Sequence, residues 1–169
     1  MNVIETRRLV MRPFGPADAG VAHRWFGDPL VMKYTPTGVD DSVDKTRARL
    51  AGYEAHQTTH GFSKWLITER ASGMPIGDAG LLQIPELGWI DLGFRLSVSS
   101  WGQGLATEAA SAWVAAAFGP LHLARLVAFV HPENAVSIRV LEKLGFGAER
   151  QDVVIGMRSI VFGLGAVLA

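Results

Sequence analysis

Residues 99–110, SSWGQGLATEAA, set two glycines, Gly102 and Gly104, around one glutamine and then run into alanines. Before them, DLGFRLSV (residues 91–98) alternates apolar and polar side chains as a strand does. After them, Leu105, Ala109, Ala112 (or Trp113) and Ala116 recur at helical spacing, so a helix is expected from about Gly104 to Phe118. A helix N-terminus carries four N–H groups without intrahelical partners and the positive end of the helix dipole. Glycines there remove the Cβ atoms that would hold an anion off those amides, and Ala106 and Thr107 keep the first turn small. The plainer reading is a glycine turn ahead of a structural helix, and two glycines alone do not decide between them. The dinucleotide fingerprint does not fit, because Thr107 stands at its third glycine, and no G-K-[ST] run supplies a P-loop.

Upstream, NVIETRRLVMRPF (residues 2–14) reads as a first strand ended by Pro13, and residues 15–29 as a short helix stopped by Gly27 and Pro29. A second helix is expected over residues 41–55. Then GFSKWLITER (61–70), PIGDAGLLQI (75–84) and IDLGFRLSV (90–98) form three strands joined by short glycine-bearing turns, an antiparallel meander. In the first of these, Phe62, Lys64, Leu66 and Thr68 face one way and Ser63, Trp65 and Ile67 the other. Beyond the glycine stretch come a strand ARLVAFV (124–130), a helix NAVSIRVLEKL (134–144) and two final strands in residues 145–169. The order β–α–α–β–β–β–α–β–α–β–β predicts an α/β (α+β) fold: one mixed, mostly antiparallel sheet flanked by helices, in a single domain over residues 1–169.

Composition narrows the function classes. Sixteen Lys plus Arg balance sixteen Asp plus Glu, which gives no broad basic footprint for nucleic acid or an anionic membrane. With no cysteine, disulfides, thiolate metal sites and a cysteine nucleophile are excluded, and no H-E-x-x-H spacing suggests a metal. The N-terminal segment carries charges through its apolar stretch, and no apolar run reaches membrane length, so a cytoplasmic protein is expected.

A second segment bears on the first. HPENAVSIRVLEKLGF (131–146) follows a strand and opens a helix, with Asn134 and Ser137 at its start and Val136, Val140, Leu141 and Leu144 as its apolar stripe. An N-cap worth about 1 kcal/mol accounts for one of those polar residues. Together the two segments resemble the Gcn5-related N-acetyltransferase (GNAT) superfamily, in particular its ribosomal-protein alanine acetyltransferase (RimJ/RimL-type) branch. ETRRLVMRPFGPADA (5–19) resembles that branch's opening T-x-R-L-x-L-R-x-F…D, and FGDPLVMKY (26–34) its D-P-x-V-x-x-Y. IDLGFRLSVSSWGQGLATEA (90–109) and NAVSIRVLEKLGF (134–146) are similar to its two remaining motifs. Trp101 is usual in this branch, whereas Val98 and Ser100 stand where it often has proline and an aromatic.

The resemblance implies the GNAT fold, with a splayed central strand pair, and a site for acetyl-CoA as cosubstrate without a metal. The pyrophosphate would lie on the amides of Gly102, Gln103, Gly104, Ala106 and Thr107. The pantetheine arm would pair with the free strand edge from Phe94 to Leu96 and contact Asn134, and Ser137 would lie near the thioester sulfur. Asp91 is the first candidate for the base, against the alternative of a solvent-facing strand charge. His131, the one histidine near both motifs, is a second acid–base candidate, and Ser137 could steady the leaving thiolate. Tyr34 is a candidate for the acceptor pocket. The expected reaction is acetyl transfer to a primary amine, either a protein N-terminus or a small molecule. The alternative is a catalytically weak acyl-CoA-binding or sensing module. A monomer and a homodimer are both compatible with the sequence.

Overall fold

The computed structural model describes residues 1–166; the last three residues of the apolar C-terminal stretch lie outside the described residues. Its strands are β1 (Ile4–Glu5), β2 (Leu9–Pro13), β3 (Lys64–Glu69), β4 (Pro75–Ile84), β5 (Trp89–Leu96), β6 (Arg125–Val130), β7 (Gly147–Val154) and β8 (Met157–Gly165). Its helices are α1 (Ala19–Phe26), α2 (Val43–His60), α3 (Leu105–Phe118) and α4 (Ala135–Lys143). All eight strands form one sheet in the order β1-β2-β3-β4-β5-β6-β8-β7, antiparallel except where β5 meets β6. Among the described residues, no helix is long and apolar enough to cross a membrane.

The expected element order holds, with two differences. The first strand is two strands, because the chain bends at Arg7 and Arg8 and pairs back on itself, Ile4 opposite Met11. The bend is held by Glu108 of α3, which accepts from the Arg8 amide at 2.8 Å and from Thr6 Oγ1 at 2.6 Å. The second helix runs five residues past its expected end. Its last turn (Gln57, Thr58, Thr59, His60) reads as a loop by propensity, yet His56 ties it down by bonding Phe62 and Gln83 across to the sheet. Gly61, at φ 78°, ends the helix in the left-handed region that suits glycine.

Side-chain alternation gives the sheet two buried faces. One carries Leu9, Met11, Trp65, Ile67, Leu81, Leu92 and Leu126 against α3 and α4, where Trp65 meets Trp113 edge to face at 4.9 Å. The alanines of α3 let the helix lie close to the strands. The other face packs Leu66 against Phe14, Trp25, Phe26, Met32, Leu50 and Tyr53 of the α1–α2 side.

Candidate active site

The sheet opens where its two halves meet. All eight residues of β5 pair with β4, from Trp89 opposite Ile84 to Leu96 opposite Gly77. On its other side β5 meets β6 at a single register pair, Asp91 opposite Val127. The Ser97 amide continues the β4 ladder by donating to Ile76 O at 2.8 Å. Antiparallel strands alternate the direction of their backbone groups, so Arg95 and Gly93 bond β4 while Phe94 and Leu96 point toward β6. The Leu96 carbonyl accepts from Trp101 Nε1 at 2.8 Å. The Phe94 N–H and C=O and the Leu96 N–H are left facing the gap.

Directly beyond that edge the chain turns into α3. Gly102 and Gly104 hold φ of 71° and 74°, and Gly104 is the N-cap with no side chain capping it. The amides of the first turn are therefore free of side-chain partners among the described residues. A Cβ on Gly102 would meet nothing within 4 Å, and one on Gly104 would meet only Arg8 Nη2, at 3.6 Å. An open ring of amides beside one guanidinium suits a diphosphate. Arg8 also braces the loop from behind: its Nη1 donates to Gln103 O at 2.8 Å and its Nε to Glu108 Oε2 at 2.6 Å. Of the remaining loop side chains, Gln103 donates to Ser99 O at 3.2 Å.

On the far side of the gap, α4 starts at Asn134, whose Oδ1 accepts from the Ser137 amide at 3.3 Å. The capping role of Asn134 is thus real, and it uses the oxygen while leaving the amide nitrogen to donate. Ser137 Oγ has no hydrogen bond among the described residues. His131 directly follows β6; its Nδ1 accepts from the Glu133 amide at 3.2 Å. Tyr34 stacks on the His131 ring, centroids 5.1 Å apart and planes 21° off parallel. Tyr34 arrives on the irregular segment between α1 and α2, which buried Met32 and Asp40 anchor. Asp40 accepts two bonds from Arg49, at 2.7 and 3.0 Å, and one from Thr46 at 3.0 Å.

Asp91 sits at the vertex of the opening and is 9% exposed, so it is not a solvent-facing strand charge. Burial pushes its carboxyl up from the ordinary value, while Lys64, Arg95 and the Phe129 amide pull it back. Lys64, 2% exposed, was not singled out as a site residue from the sequence. Its Nζ donates to Gly80 O at 3.0 Å. The signal that could have found it is a lysine two residues before Leu66, on the strand face that packs against the α1–α2 core; Phe62, expected on that face, packs with Trp65 and Ile67 instead because it lies before the strand begins. On the same face Asp78 holds Arg95 (Nε to Oδ1, 3.4 Å) and accepts from Trp25 Nε1 at 3.0 Å. Among the described residues no cluster of three His, Asp or Glu side chains is set to hold a metal ion.

The sequence profile described as "Acetyltransferase (GNAT) domain" matches residues 8–147, which take in β2 to β6 and all four helices. The chain belongs to the GNAT acetyltransferase family. Among curated relatives of this GNAT protein is an uncharacterized N-acetyltransferase, p20, of Bacillus licheniformis, 30% identical over 150 residues that cover 88% of this chain and 84% of that one. An acetyltransferase structure from Agrobacterium tumefaciens str. C58 superposes with a TM-score of 0.82 at 26% identity, covering 97% of this chain and 94% of that one. The structure of RimL, a ribosomal L7/L12 alpha-N-protein acetyltransferase in complex with coenzyme A, shares the GNAT fold at a TM-score of 0.77 and 18% identity, over 98% of each chain.

Proposed function

We propose that this GNAT protein moves the acetyl group of acetyl-CoA to a primary amine, by direct attack with both substrates bound. One observation carries the reading: three backbone groups on Phe94 and Leu96, turned away from β4 and without a strand partner among the described residues, lead along the opened strand to the glycine-lined start of α3. Pantetheine is a chain with amide groups, which such an edge can pair, and a pyrophosphate suits the amides of Gly102, Gln103, Gly104, Ala106 and Thr107. Asn134 has its amide nitrogen free to donate to the pantetheine arm from the α4 side, and Ser137 Oγ is free to hydrogen-bond the sulfur.

When bound, acetyl-CoA supplies an activated thioester carbonyl. The acceptor arrives mostly as an ammonium, with a pKa near 10 for an alkylamine and near 8 for a protein N-terminus, and must lose a proton before it attacks. Asp91, at the vertex of the opening, is the group to take it, directly or through a water. Its burial strengthens it as a base relative to an exposed aspartate. A strand amide near Phe94 serves as oxyanion donor, a role worth on the order of 3 kcal/mol in the transition state. His131 and Tyr34 form the wall where the acceptor enters, with His131 the second acid–base group. A protein N-terminus and a small-molecule amine both meet these requirements.

The test is release of free thiol from acetyl-CoA with a panel of primary amines and peptides bearing free N-termini. Asp91→Ala is expected to lower kcat by about 100-fold or more while changing acetyl-CoA affinity less than about threefold. Tight acetyl-CoA binding without thiol release across the panel would instead identify an acyl-CoA-binding module, and no binding at all would remove both readings.

A further inference from the structure

Lys64 opens β3, and its side chain crosses the sheet on the α1–α2 face toward β5. The register makes this crossing possible: Lys64 lies opposite Gly80, and Gly80 opposite Gly93. Neither neighbour has a side chain to block the path. A Cβ placed on Gly93 would collide with Lys64 Nζ and would lie 3.8 Å from Asp91 Oδ2. The space that Gly93 leaves is therefore filled by an ammonium beside the Asp91 carboxylate. The two are near neighbours without forming a contact ion pair among the described residues.

The other charges around this pair bond mainly to one another, although Asp78 and Arg95 also act on the pair and Asp78 Oδ2 has no hydrogen-bond partner among the described residues. Arg95 on β5 is held by Asp78 on β4, and Asp78 also serves Trp25. Arg49 on α2 is committed to Asp40, and His56 on α2 to Phe62 and Gln83. Tyr53 completes the α2 side near Arg95. No side chain donates a hydrogen bond to Asp91 among the described residues, and Lys64 is the charge that acts most strongly on it. A lone buried carboxylate tends to take up a proton and lose its use as a base. A lysine buried this deeply has a large desolvation cost, and an apolar side chain of similar length would fill the space without it.

We propose that Lys64 is a positioning residue for Asp91: its ammonium, fixed over Gly80 and Gly93, keeps the buried Asp91 side chain a carboxylate, ready to accept the proton of the incoming amine. Burial lowers Lys64 to about 8 while Asp91 opposes the shift, so the ammonium form predominates at neutral pH. The inference rests on Asp91 acting as the base, and its test separates the two claims.

The test titrates the Asp91 carboxyl carbon by NMR in the full chain without substrate, with assignment by Asp91→Asn. In Lys64→Met the Asp91 midpoint is expected to rise by about one pH unit or more, a tenfold gain in proton affinity. Gly93→Ala, which drives the ammonium aside but keeps its charge, is expected to move it the same way by less. An Asp91 midpoint unmoved in both variants overturns the proposal. With an acceptor in hand, the acid limb of kcat/KM in Lys64→Met is expected to rise with the midpoint, while the acetyl-CoA Kd stays unchanged. A midpoint that rises while the acid limb stays put supports the hold of Lys64 on Asp91 and overturns Asp91 as the base.

Discussion

Gly104 concentrates two demands in one residue: a φ of 74°, which side chains with a Cβ tolerate poorly, and an open surface for an anion. Gly104→Glu is expected to cost about 1–2 kcal/mol of stability from the backbone alone. The added carboxylate would also lie beside Arg8 and face any bound diphosphate with like charge. Acetyl-CoA affinity should then fall by about 100-fold or more in a protein that still unfolds cooperatively; survival of binding within a few fold would remove the diphosphate assignment. His56 makes a different single-residue prediction. Its Nε2 accepts from the Gln83 amide at 2.9 Å, so Nδ1, 2.8 Å from Phe62 O, carries the proton and the ring is neutral. Burial lowers its proton affinity below the ordinary 6.5, partly offset by Phe62, and the His60 ring 4.3 Å away adds to the lowering. The unfolded chain thus binds more protons below about pH 6.5, and stability falls from there down to the folded value, with no effect above. Thermal unfolding between pH 5 and 7.5 should show that loss, and His56→Gln should flatten it. An equal slope in the variant would show that His56 does not carry the effect.

At the scale of elements, the β1–β2 hairpin belongs to the candidate site although none of its residues was expected there. Thr6 and Arg8 come from one quoted motif and Glu108 from another, and the fold joins them behind the glycine loop. Each motif was legible, as was the helix start at Gly104; their contact was not, because it spans 100 residues and no local pattern encodes it. The same holds for Tyr34 against His131, two separate candidates whose stacking only the tertiary fold produces. Lys64 was hidden for another reason. A strand's period assigns its face, but not whether a charge on that face is buried, and here the outcome depends on glycines in two other strands. If Arg8 braces the loop, Arg8→Ala should raise the acetyl-CoA Kd roughly tenfold, the loss of about one charge-assisted hydrogen bond. Arg70→Ala removes a more exposed guanidinium bound to the same hairpin at Thr6 O and serves as the control, with Kd unchanged. Equal Kd values for the two variants would show that the brace does not matter to binding.

At the scale of the molecule, eight strands among the described residues make one sheet that is joined across its middle by a single register pair. On one side lie β1 to β5 with α1 and α2 packed below; on the other, β6 to β8. Helix α3 spans the upper face, with buried residues that share a core with both halves. The sequence reached this arrangement through its turns and strand periods, while the opening itself came from the family resemblance, since two strands that diverge have the same alternation as two that pair. A ligand seated in the opening touches both halves and binds the folded chain only, so it must stabilise the whole. At a concentration 100 times its Kd, acetyl-CoA should add about 2.7 kcal/mol and raise Tm by roughly 5–10 °C. The gain should be local as well as global. Hydrogen exchange should slow at the Phe94 and Leu96 amides, which point into the gap, more than at Gly93 and Arg95, already bonded to β4. Uniform slowing of all four, or a rise in Tm that leaves Phe94 and Leu96 exchanging as before, would place the ligand somewhere other than the opened edge of β5.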